Sequence, residues 1–240
     1  MRELSLFTGA GGGLLGTMLL GWTPIGAVEW DDYCCRVLEQ RQRDGLLPAF
    51  PIYQMDIREF NRRVAPLYAG LADVVTAGFN CQPWSPAGKG LGADDPRNTW
   101  PATIECIRIV RPRYALLENV PRLVTSGYFG AILQDLAESG YDARWDVLSA
   151  APFVDQRDGA RLWILVQARS ERLEGVHQKS RGKPVQSIEE IVPRHKRKAD
   201  AGVYRAGNGV AHRVERTRAI GNGQVPAMVR AAWNLLSGGE

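Results

Sequence analysis

Seven short apolar runs alternate with helix-compatible stretches along the 240-residue chain, and this alternation constrains the fold more than any other feature. "ELSLF" (3–7), "PIGAVEW" (24–30), "IYQMD" (52–56), "ADVVTAG" (72–78), "YALLENV" (114–120), "DARWDVLSA" (142–150) and "RLWILVQAR" (161–169) read as strands. Several are nearly continuous apolar runs, as strands covered on both faces must be. Helical patterns occupy 13–20, 32–43, 99–110 and 129–138. Another returns at 223–236, where Pro226 suits a first helical turn. Strand–helix alternation predicts an α/β fold, doubly wound, with a mostly parallel sheet. The 151–160 connection is too short for a crossover helix, so the last strand is expected to run antiparallel.

Open sheets of this kind bind ligands beyond the carboxyl ends of their strands. Strand one runs into "FTGAGGG", strand two ends at Glu29–Trp30, and strand three ends at Asp56. Strand four leads to Asn80–Cys81–Gln82, and strand five ends at Glu118–Asn119. Five neighbouring strands therefore send a polar or reactive group to one edge. The glycines allow a close backbone approach to a ligand. An acidic residue at the end of strand two, about 20 residues further on, suits the hydroxyls of a ribose. Trp30 can stack on a base, and Asp56 can accept from an adenine amino group. No Walker lysine is present, so an adenosine lacking phosphates fits better than ATP or a dinucleotide.

The remaining composition narrows the class. The four cysteines, Cys34, Cys35, Cys81 and Cys106, form no CxxC pair, which argues against a zinc site and against a disulfide framework. Free cysteines are usually buried as small hydrophobes. Cys81 instead sits on a Gly- and Pro-rich loop, "GFNCQPWSPAGKG" (78–90), and Glu118 is expected to arrive from the neighbouring strand end. Such a setting suits a reactive thiol. Residues 171–220 hold 12 Lys/Arg against 6 Asp/Glu, a net of +6 in a chain whose total is +4. That asymmetry points to a polyanionic partner. No signal peptide or membrane-spanning run is visible.

Taken together, these motifs resemble the DNA cytosine-5 methyltransferases over nearly the whole chain. "FTGAGGG", "EW" at 29–30, "DI" at 56–57, "GFNCQPWSPAGKG", "ENV" at 118–120, "RLWILV" at 161–166 and "GNGQVP" at 221–226 occur in that family's order. The resemblance implies a Rossmann-like, seven-stranded class I methyltransferase fold with a small basic second region. It implies S-adenosyl-L-methionine as cofactor, held by Phe7, Gly9, Gly11, Glu29, Trp30, Asp56, Ile57 and Asn222. Cys81 would attack C6 of a cytosine flipped from duplex DNA, with Glu118, Asn119 and Arg161 completing the catalytic set. Gln82, Arg194, Lys196, Arg197, Lys198, Arg213 and Arg216 would meet the DNA. A monomer without metal or membrane attachment is expected, in the cytoplasm of a prokaryotic or phage-infected cell.

The resemblance also implies a division into a catalytic domain (1–169), a short basic target-recognition region (170–219) and a C-terminal motif and helix (220–240). The middle region has only about 50 residues, as in compact, phage-type members. Two further departures stand out. Asn80 replaces the family's proline before the catalytic cysteine. "DQRDGARLW" keeps Gln156, Arg157 and Arg161 of the arginine motif with altered spacing, so only Arg161 transfers directly. Cytosine methylation in RNA and a catalytically silent DNA-binding relative are the rival readings. The intact Cys81 and ENV speak against the silent form.

Overall fold

The computed structural model describes residues 1–80, 98–149, 159–169 and 223–238. Seven strands form one sheet in these residues: β1 (Arg2–Leu6), β2 (Thr23–Glu29), β3 (Ile52–Gln54), β4 (Val74–Gly78), β5 (Tyr114–Asn119), β6 (Tyr141–Leu148) and β7 (Arg161–Ala168). Their order is β3-β2-β1-β4-β5-β7-β6. The pairs β1–β2, β1–β4, β2–β3 and β4–β5 are parallel. β7 runs antiparallel to both β5 and β6. The expected antiparallel last strand is thus present, inserted beside β5 with β6 at the edge.

The helices are α1 (Gly12–Met18), α2 (Asp32–Arg43), α3 (Ile57–Arg63), α4 (Trp100–Val110), α5 (Arg122–Thr125), α6 (Tyr128–Glu138) and α7 (Pro226–Ser237). A 3₁₀ turn spans Ala65–Tyr68. α3, α5 and the 3₁₀ turn were not expected from the sequence pattern. α3 shortens the third strand, because Asp56 leaves the sheet and its side chain caps the helix by accepting from the Arg58 N–H.

Period-2 alternation sorts the strand residues onto two faces. Val75, Ala77 and Phe79, with Ala115 and Leu117, join one core under α3, α4 and α6. Val74, Tyr114, Leu116, Trp163 and Leu165 join a second core that α7 covers with Met228, Val229 and Trp233. Trp233 anchors α7 there, with edge-on contacts to Trp22 at 4.7 Å and Tyr114 at 5.3 Å between ring centroids. Aromatic pairs of this geometry add ~0.5–1.5 kcal/mol to the area they bury. This packing returns the C-terminal helix to the strand bearing Glu118, far from it in sequence.

Candidate active site

The glycine turn after β1 is built from left-handed backbone. Phe7, Gly9 and Gly11 have φ of 53°, 57° and 85°. Phe7 is the costly member, since a bulky side chain seldom adopts this region. Gly11 precedes α1, and a Cβ there would come within 2.7 Å of Leu38 Cδ2. A Cβ on Gly9 would meet nothing within 4 Å, so this corner of the turn faces open space.

Glu29 ends β2 beside that turn. Its carboxylate accepts the Gly9 N–H at 2.6 Å and the Asp31 N–H at 2.8 Å. Trp30 follows with 71% of its surface exposed. A large, exposed aromatic beside a held carboxylate fits an adenosine: the indole offers a stacking face and the carboxylate an acceptor for ribose hydroxyls. Asp56 lies two residues beyond β3, capping α3 and pairing with Arg58 at 3.3 Å. Ile57 is 4% exposed and belongs to the main core. Asn222 lies outside the described residues.

β5 delivers the second part of the site. Glu118 and Asn119 are consecutive, so they face opposite sides of the sheet. Glu118 lies on the α7 side. Arg161 opens β7 two residues before Trp163, the register partner of Glu118, and its Nε comes to 3.0 Å from Glu118 Oε1. Burial pushes the Glu118 carboxyl above its ordinary range, while Arg161 and a hydrogen bond from Gln224 pull against that shift. The net direction is upward, toward a carboxyl that retains its proton. Asn119 points into the other core, where its amide donates to the Phe79 carbonyl at 3.2 Å. It therefore braces the chain two residues before Cys81, away from the Glu118 side.

Gly78 ends β4 opposite Glu118. A Cβ there would come within 3.0 Å of Glu118 Oε2 and 3.2 Å of Gln224 Nε2. The strand leading to Cys81 thus runs directly beside the carboxyl. Cys81 and Gln82 lie outside the described residues, as do Gln156, Arg157, Arg194, Lys196, Arg197, Lys198, Arg213 and Arg216. The other three cysteines are buried, with thiols pushed up to about 11 at Cys34 and Cys35 and about 12 at Cys106, mainly by burial. Buried thiols held above their ordinary range are poorly suited to act as nucleophiles. Gln224 was missed from the sequence, although its place inside "GNGQVP" was the available signal.

A parallel sheet carrying a reversed strand between its last two members, with a glycine turn and an acidic residue at the ends of β1 and β2, defines the class I methyltransferase architecture. Solved structures share it. A triple mutant of Spodoptera frugiperda DNMT2 aligns with a TM-score of 0.57 at 18% identity, over 75% of this chain and 53% of that one. Schizosaccharomyces pombe ("S. pombe") Dnmt2 methyltransferase aligns with a TM-score of 0.55 at 20% identity, over 72% and 51%. Within that class the chain belongs to the C-5 cytosine-specific DNA methylase family, whose model matches residues 1–225. Type II methyltransferase M.NgoBI of Neisseria gonorrhoeae is 35% identical over 168 residues, covering 68% of this chain and 50% of the relative. Type II methyltransferase M.HaeII of Haemophilus aegyptius is 33% identical over 168 residues, covering 68% and 49%. The chain spans about half the length of these curated relatives.

No group of three or more potential metal ligands occurs among the described residues. No helix among them is long and apolar enough to cross a membrane.

Proposed function

We propose that this chain transfers a methyl group to C5 of a cytosine flipped out of duplex DNA, using S-adenosyl-L-methionine. The observation that carries the reading is the Glu118–Arg161 pair, closed to 3.0 Å beside the strand that leads into Cys81. The cofactor, when bound, supplies an electrophilic methyl group. Glu29, Trp30 and the open corner at Gly9 would hold its adenosine, with Phe7 and Gly11 shaping the turn and Asn222 joining from the C-terminal motif. Asp56 would share its carboxylate between Arg58, the cap of α3 and the adenine amino group. Ile57 would support that pocket from within the core.

The chemistry of the chain's own residues follows. The Cys81 thiolate forms a bond to C6, and the ring electrons move toward C5 and N3. Glu118 delivers its proton at N3, so no isolated negative charge develops on the ring. The resulting carboxylate is left 3.0 Å from Arg161, which would also reach the base oxygen. Addition makes C5 nucleophilic. After methylation the C5 proton passes to water, the C5–H electron pair forms the C5–C6 double bond as the C6–S bond breaks and the Cys81 thiolate leaves, and N3 returns its proton to the Glu118 carboxylate, restoring the aromatic ring. Asn119 acts by holding the Phe79 carbonyl, and with it the approach to Cys81. Gln82 and the basic residues Arg194, Lys196, Arg197, Lys198, Arg213 and Arg216 would contact the DNA.

Incubation with unmethylated plasmid and S-adenosylmethionine, followed by bisulfite sequencing, tests this directly. The expected result is conversion-resistant cytosines in one recurring sequence context. Full conversion of the plasmid, with resistant cytosines appearing in a parallel transfer RNA reaction, would transfer the reading to RNA.

A further inference from the structure

We infer that Gln224 is a positioning residue for methyl transfer: its amide couples Glu118 to the glycine turn and to the exit of β4. The inference rests on the acid role proposed for Glu118.

Three glycines make room for this one residue, Gly12 for its backbone and Gly13 and Gly78 for its side chain. A Cβ on Gly12 would overlap the Gln224 backbone carbonyl oxygen. A Cβ on Gly13 would lie 2.5 Å from Gln224 Oε1. One on Gly78 would lie 3.2 Å from Gln224 Nε2. Gly12 and Gly13 belong to α1, whereas Gly78 ends β4, so two separate elements omit a side chain where Gln224 passes. The amide oxygen faces the glycine-rich helix start. The amide nitrogen faces Gly78 and Glu118, and the Glu118 carboxyl accepts its hydrogen bond.

The position follows from the chain path. Val225 caps α7 in extended conformation, and Pro226 begins the helix. Gln224 is therefore set by a helix that Val229 locks against Gly16 of α1. A glutamine suits this junction because one amide both donates and accepts. The donor end favours the ionised form of Glu118, as Arg161 does from β7. Among the described residues, Arg161 and Gln224 both favour the charged form of Glu118. They set how readily Glu118 releases its proton to N3, and Gln224 does so from the segment that also touches the cofactor turn.

The test is single-turnover methyl transfer measured against pH for the full chain, comparing Gln224→Met, Gln224→Glu and Glu118→Gln. Methionine keeps the length of the side chain and cannot donate. Glutamate keeps the shape and adds a like charge. An acid must be protonated to act, so the Glu118 titration forms the limb where activity falls as pH rises. Gln224→Met should slow transfer by about tenfold or more, the scale of a lost hydrogen bond to a charged group. It should also move the falling limb to higher pH, and Gln224→Glu should move it further. If Gln224→Met does not fold, the limb of the near-isosteric Gln224→Glu decides. An unmoved limb in the Gln224 variants, with the limb lost in Glu118→Gln, overturns the role of Gln224 and leaves that of Glu118 standing. A Glu118→Gln enzyme with normal rate and limb removes the acid role itself, and the inference with it.

Discussion

The backbone N–H of Asn80 donates to the Thr99 hydroxyl oxygen at 2.9 Å, joining the residue before Cys81 to the residue that caps α4. A proline in that position has no N–H to give. The substitution of Asn for the family's proline is therefore matched by an acceptor across the loop base. Thr99→Val should remove the hydroxyl that accepts this half-buried N–H and cost ~1–3 kcal/mol. Adding Asn80→Pro to Thr99→Val removes the donor as well and should recover most of that loss. Asn80→Pro alone should forfeit the bond, at ~0.5–1.5 kcal/mol. Chemical denaturation of the two single variants and the double variant measures the coupling. Equal stability of Thr99→Val and the double variant would remove the hydrogen bond from the account.

Glu118 and Arg161 make a second test. Glu118→Gln keeps the size of the side chain but cannot supply a proton. It should lower single-turnover methyl transfer by on the order of 10²-fold or more. Binding of S-adenosylhomocysteine, measured by calorimetry, should barely change, because β1 and β4 lie between the strand of Glu118 and that of Glu29. A large loss of cofactor affinity would reassign Glu118 from chemistry to binding.

Much of this was legible in the sequence. The apolar runs gave all seven strands, and the brevity of the 151–160 connection gave the reversed β7. Glu118 and Arg161 met because their strands pair, which the order of motifs anticipated. The misses were local. Asp56-Ile-Arg-Glu59 carries a helix-start pattern, an N-cap acid followed three residues later by Glu, which the apolar run "IYQMD" masks by extending the strand to Asp56. Asn119 was expected beside Glu118, yet adjacent strand residues face opposite ways, and it braces Phe79 instead. "GNGQVP" marked the segment that holds Gln224, but not its role, because its contacts join α1, β4 and β5, elements far apart in the chain.

Glu3 provides a stability test independent of catalysis. It is 1% exposed on β1 and accepts hydrogen bonds from Thr17 and from Thr76, the latter at 2.7 Å. Burial pushes its carboxyl up to about 7, against 4.5 for the free group. A raised acid binds its proton more tightly in the folded state, so its favourable contribution is complete below pH 4.5 and is lost as pH rises to about 7. At ~1.4 kcal/mol per unit, the loss is on the order of 3 kcal/mol. Glu3→Gln should be less sensitive to pH across that window, keeping an uncharged partner for both threonines. Denaturation of wild type and variant at pH 5 and pH 8 checks this. A difference that is the same at both pH values would show that Glu3 does not titrate there.

The basic segment predicts a salt dependence. Neutralising Arg194, Lys196, Arg197 and Lys198 should weaken binding to all duplexes alike and flatten the log–log salt slope by about 1 per lost phosphate contact. Replacing Arg213 or Arg216 should instead change the methylated sequence context if that side chain reads a base edge. Unchanged slope and affinity in the cluster variant would assign the DNA grip to the remaining chain.

Trapping by 5-fluorocytosine tests the central claim most directly. Duplex DNA with that base at the target position should form a covalent complex with the chain when S-adenosylmethionine is present, because fluorine blocks the elimination that releases the thiol. Peptide mapping should place the adduct on Cys81, and Cys81→Ser should form none while still binding S-adenosylhomocysteine. A Cys81→Ser chain that methylates DNA at a normal rate, or an adduct mapped to Cys34, Cys35 or Cys106, would contradict the mechanism.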